Sequence, residues 1–141
     1  MICKVKLHEN GEMILNSNMQ DVVTHSLKCK DANSGYMSPG ALFMGSLAGC
    51  KILTFMKAAK FYKVEFSDLE VEVEADVRVT ENIDDTPFKY QEYDEIRTLY
   101  SLKTKSDISE IEKVISLASK FCTVNIAIDD KIKQTFSIEI L

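Results

Sequence analysis

The segment from Ser38 to Phe61, SPGALFMGSLAGCKILTFMKAAKF, leaves the chain few ways to fold. Ser38 is an N-cap residue type, and Pro39 suits the first helical position, where its missing N–H would be unpaired in any case. A helix is predicted to start here. From Ala41 to Ala59 it is apolar or small on nearly every face, interrupted by Ser46, Lys51, Thr54 and Lys57. Such a helix is expected to be buried and to form the axis of the core. Its unbroken apolar run ends at Lys51, short of the roughly 20 residues that span a bilayer, so no membrane partner is expected. Gly45, Ser46, Ala48 and Gly49 bring small residues together, which lowers helix propensity but lets another backbone approach closely. Cys50 follows directly.

On the N-terminal side, residues 2–8 and 12–17 read as short strands around Asn10-Gly11, a hairpin signal, and Val22 to Cys29 reads as a third extended piece. Lys30 to Met37 reads as a loop. Beyond the helix, Leu69 to Thr80 (LEVEVEADVRVT) alternates strictly and predicts a half-buried antiparallel strand with Leu69, Val71, Val73, Ala75, Val77 and Val79 on one face. Asn82 to Lys89 reads as an exposed loop and Tyr93 to Thr104 as a second long strand. Ser106 or Asp107 then caps a helix with Ile108, Ile111, Ile115, Ala118 and Cys122 at helical spacing, flanked by Val114 and Phe121. A short segment, Thr123 to Ile128, and a closing strand, Lys131 to Leu141, complete an α+β order without repeats or linkers.

A chain of 141 residues, 45% apolar and 28% charged, is expected to form one domain over residues 1–141. The net charge of −5 contains no basic block, so no nucleic-acid partner is expected. The start MICKVKLHENGEM has no charged lead followed by a long apolar run, and a cytoplasmic location is expected from it. In a reducing compartment, four cysteines are buried thiols, metal ligands or redox groups rather than structural staples. Cys3, Cys29, Cys50, Cys122, His8 and His25 include no Cys-x2-Cys pair, and no metal is expected. A Gly-x-Ser-x-Gly elbow and a glycine-rich phosphate loop are both missing, and no cofactor is expected.

Cysteine chemistry remains. Cys3 and Cys29 fall on predicted strands near lysines and fit inert packing or mild thiolate stabilisation. Cys50 lies in a nearly all-apolar helix and is either a small buried hydrophobe or a reactive thiol. Burial alone would keep it protonated, so reactivity requires a nearby cation or hydrogen-bond donor. The helix's own N-terminus, about 18 Å away, is too far to help, so another segment has to supply it. Cys122 either completes an apolar helical stripe or heads a new short helix, where free N–H groups would favour its thiolate.

The motifs SPGALFMGSLAGC (38–50), DLEVEVEADV (68–77) and ASKFCTV (118–124), in this order of strands and helices, resemble the OsmC/Ohr family of osmotically inducible and organic hydroperoxide resistance proteins. The resemblance spans nearly the whole chain. It implies the OsmC-like fold and an intertwined homodimer whose central helices pack together. It also implies that Cys50 is a peroxidatic thiol, Cys122 its resolving partner, an apolar organic hydroperoxide the substrate and an external dithiol the reductant. The alternative is a non-enzymatic protein of the same fold that binds a small apolar ligand at the dimer interface. One departure stands out: the well-known branches place a glutamate after the helix-entry proline and pair it with an arginine from the N-terminal half. Here Gly40 follows Pro39 and the first arginine is Arg78; Lys4, Lys6, Lys28 and Lys30 could substitute for it but fit a solvated strand face better.

Overall fold

The computed structural model describes residues 1–141, which divide into two compact units, Met1–Phe43 and Met44–Leu141. In the first, β1 (Lys4–Leu7), β2 (Glu12–Ser17) and β3 (Gln20–His25) form an antiparallel meander in that spatial order. The predicted hairpin at Asn10-Gly11 forms, with the positive φ of +90° on Gly11 and the Asn10 side chain accepting the Glu12 N–H at 3.1 Å. A Cβ at Gly11 would lie 2.6 Å from Cε1 of His25, so the site demands glycine for space as well as for φ. The second turn places both Asn18 and Met19 at positive φ, the geometry that matches strand twist.

The third strand stops at His25 instead of running on to Cys29. His25 is buried; its Nδ1 accepts the N–H groups of Leu27 and Lys28, each at 3.2 Å, and its Nε2 meets the Asn10 carbonyl at 3.1 Å. These bonds pull the backbone out of extension into a 3-10 turn at Lys28–Lys30. Cys29 is therefore in that turn and Cys3 precedes β1, so neither lies on a strand.

The long helix α1 (Pro39–Tyr62) starts as predicted, with the Ser38 hydroxyl accepting the Ala41 N–H at 3.1 Å. Its burial is one-sided. Leu47, Lys51, Thr54, Phe55, Ala58 and Ala59 are buried, whereas Leu53 and Met56 are 62% and 51% exposed. At 24 residues α1 is, by length and composition, long and apolar enough to cross a bilayer, a test that a core helix passes as well. What speaks for a protein environment is the inward stripe itself, packed among side chains of the same unit.

That packing comes from a second sheet, ordered β4-β5-β6. The strands β4 (Phe66–Asn82) and β5 (Lys89–Thr104) pair antiparallel, and β6 (Lys133–Ile140) pairs parallel to β5. A parallel neighbour requires a crossover, which here is α2 (Ile108–Phe121) followed by the short α3 (Thr123–Ile126). Asp107 caps α2, and the Glu110 carboxylate reaches back to accept its N–H at 3.1 Å. Ile111, Val114, Ile115 and Ala118 of α2 join Phe55, Ala58 and Ala59 of α1 and Tyr100 and Leu102 of β5 in the main core. A smaller cluster of Leu47, Ile96 and Ile128 lies beside Val73 and Ala75.

Both long strands extend beyond the sequence-based limits. The alternation of β4 is half-buried from Leu69 to Ala75, but Val77 and Val79 are exposed past the irregular register at Asp76/Val77. There Val77 and Val79 are each about half exposed. On the outer face Arg97 bridges Asp76 at 2.6 Å and Glu74 at 3.3 Å.

Candidate functional site

Cys50 and Cys122, 72 positions apart, meet with their sulfurs 3.0 Å apart. This is contact without a bond, since a disulfide is about 2.05 Å long, and both cysteines are free thiols. Helix α1 carries Cys50 next to the inward-facing Lys51. Helix α2 ends at Phe121, and Cys122 adopts an extended conformation (φ −74°, ψ 102°) before α3 begins. Cys122 thus realises both sequence alternatives. It is wholly buried at the end of the α2 stripe and is also the N-cap of a new short helix.

The electrostatic consequence differs from the expectation for Cys122. The N–H groups of Thr123 and Val124 serve Cys50, across the gap, while Cys122 receives that of Asn125. Burial pushes the Cys50 thiol up, but the S–H donated by Cys122, the N–H groups of Val124 and Thr123 and the charge of Lys51 outweigh it, and its pKa is lowered. Cys122 goes the opposite way. Burial raises its pKa, and its proton is held in the hydrogen bond to Cys50. The pair is therefore one thiolate-prone, half-buried sulfur beside one protonated, buried sulfur. Tyr100, also raised by burial and by Cys122, stays a neutral phenol nearby.

The expectation that another segment must serve Cys50 is met by α3. Backbone donors leave no side-chain signature, so nothing in residues 123–124 announced them. Lys51 was legible only as a break in an apolar run, although its spacing from Leu47 and Phe55 sets it within the buried stripe. Its ammonium donates to Oδ1 of Asn125 at 3.1 Å. The N-terminal lysines Lys4, Lys6, Lys28 and Lys30 are all exposed. His25 is absorbed by the turn it holds, and Cys3 and Cys29 belong to the N-terminal unit.

One cleft of about 640 Å³ is lined by Lys63, Glu65, Lys103, Lys105 and Glu110 among others, and a smaller one of about 180 Å³ lies against Lys51, Ser119, Asn125 and Gln134. Cys50 lines neither of them.

Among solved structures, an OsmC-like protein from Mycoplasma pneumoniae superposes with a TM-score of 0.79 at 17% identity, over 99% of this chain and 96% of that one. A Legionella pneumophila protein described as an organic hydroperoxide resistance protein OsmC and predicted redox protein gives 0.73 at 18% identity, over 99% and 96%. The organic hydroperoxide resistance protein OhrB of Bacillus subtilis gives 0.65 at 16%, over 99% and 98%. At these identities the likeness is one of fold. No curated protein sequence matches the chain. The family model for OsmC-like proteins matches residues 31–137, a span that includes α1, both long strands and both cysteines of the site, and the chain belongs to that family.

Proposed function

We propose that this protein reduces organic hydroperoxides, with Cys50 as the attacking thiolate and Cys122 as the resolving thiol. The observation that carries the reading is the 3.0 Å sulfur pair with opposite proton preferences. The names of the Legionella and Bacillus neighbours, which refer to hydroperoxide resistance, agree with it.

The Cys50 thiolate attacks the terminal oxygen of R–O–O–H; an S–O bond forms, the O–O bond breaks, and the alkoxide leaves and takes a proton from solvent to become the alcohol. Sulfur is oxidised to the sulfenic acid and the peroxide is reduced. Cys122 then attacks the Cys50 sulfur, the S–S bond forms, and hydroxide departs with the Cys122 proton as water. An external dithiol restores both thiols by exchange and leaves as its own disulfide. Such a reductant fits a cytoplasmic setting. The exposed side of α1, with Gly45, Gly49, Leu53 and Met56, suits a second copy of the chain, so the working form is a homodimer. No cofactor enters the cycle.

One equivalent of cumene hydroperoxide added to the reduced protein is expected to remove two thiols and form the Cys50–Cys122 disulfide. The Cys122→Ser variant accumulates sulfenic acid at Cys50, and Cys50→Ser consumes no peroxide. Intact mass and thiol counting read all three. Unchanged turnover in Cys50→Ser, or no oxidation at either position in the parent, would overturn the proposal.

A further inference from the structure

A lysine inside a protein is costly unless an anion or good acceptors compensate it. Lys51 is only 6% exposed. The ion pairs of the chain, such as Arg78–Glu92, Arg97–Asp76, Lys103–Asp68 and Lys133–Glu95, involve partly or well exposed side chains, and Lys51 belongs to none of them. Its acceptor, Asn125 Oδ1, is neutral. The cleft beside it is lined from three further elements, by Ile115 and Ser119 on α2, Asn125 on α3, and Gln134, Thr135 and Phe136 on β6, and the charge of Lys51 also acts on Cys50, its neighbour on α1. Cys122, at the junction of α2 and α3, and Tyr100 on β5 complete the titratable set, and the phenol is neutral. Only the two sulfurs can carry negative charge here.

Asn125 joins the cation to the sulfurs. Its side chain accepts from Lys51, and its backbone N–H donates to Cys122. We infer that Lys51, clamped by Asn125, is the fixed counter-charge of the Cys50–Cys122 pair and keeps Cys50 ready as a thiolate. Lys51 is thus a positioning residue that acts through charge, not one that touches substrate. The inference rests on the hydroperoxide reading for what the thiolate is kept ready to do, but its test needs no peroxide.

The test is the pH dependence of Cys50 alkylation by iodoacetamide, read by mass, alongside ultraviolet thiolate absorbance, for the parent, Lys51→Met, Lys51→Arg and Asn125→Asp. The sign follows from the direction of the shift. A cation lowers the thiol midpoint, so removing it moves the midpoint up. Lys51→Met is expected to raise it, slowing alkylation about twofold to threefold at neutral pH with the same alkaline plateau. Melting temperature stays equal or rises, because a methionine stem replaces a buried charge without its desolvation cost. Lys51→Arg retains the low midpoint. Asn125→Asp offers Lys51 a competing carboxylate and moves the midpoint up with the backbone intact, so it reads the same interaction should Lys51→Met fold poorly. An unchanged midpoint in a folded Lys51→Met or Asn125→Asp protein overturns the inference. A shifted midpoint in a protein that never consumes hydroperoxide supports it and sinks the peroxidase reading instead.

Discussion

The two sides of α1 are both largely apolar or small and have opposite surroundings. One side presents Leu47, Lys51, Thr54, Phe55 and Ala58 to the sheet and α2, and all are buried; the other presents Gly45, Gly49, Leu53 and Met56 to solvent. A helix apolar all round calls for cover all round. A single chain covers half of it. The difference teaches that composition states a requirement for burial without stating which molecule meets it. Of the lysines of α1, Lys57 and Lys60 are exposed, whereas Lys51 lies in the buried stripe.

The comparison breaks first, and hardest, at Phe55. Its ring lies 5.1 Å from that of Phe66, edge on, and 5.8 Å from Tyr100, with no exposure. Phe55→Ala is expected to cost about 3–5 kcal/mol in urea unfolding and to lower Tm by roughly 10 °C. A loss below about 1 kcal/mol would mean that the covered side is not the load-carrying core.

On the open side the double change Leu53→Glu and Met56→Glu leaves the packing of a single chain untouched. With a second copy seated there, light scattering shows the dimer fall to a monomer. An unchanged mass would leave this face without its proposed occupant. The smallest effect belongs to Gly49. Nothing lies within 4 Å of a Cβ built there, so on the monomeric background Gly49→Ala gains about 1 kcal/mol from helix propensity. With a second copy seated on this face, as proposed, the same methyl group would meet its helix, and the gain would shrink or reverse. An equal gain on both backgrounds would say that no helix approaches closely.

Much of the fold was legible because its signals are local. The Ser38-Pro39 entry, the alternation from Leu69 to Ala75 and the Asp107 cap each follow from a few neighbouring residues. The errors occur where distant groups act. His25 ends β3 through its bonds to Asn10, Leu27 and Lys28, and Val77 and Val79 keep the alternation of β4 but stay exposed past the irregular register at Asp76/Val77. The site divides likewise. Cys50 and Cys122 could be named as a pair through family resemblance, while the residues alone left each open between a buried core thiol and a reactive one.

By itself the sequence determined which elements form, because capping, periodicity and turn chemistry are properties of short stretches. It also determined that Cys50 could be reactive only with outside help, since burial opposes a thiolate. Tertiary structure decided what that help is. The break of the chain at Cys122 turns the Thr123 and Val124 N–H groups toward Cys50, and helical spacing brings Lys51 to Asn125. Backbone donors carry no residue signature, and the field at a sulfur depends on distances between segments 72 residues apart, so only the folded chain could set them.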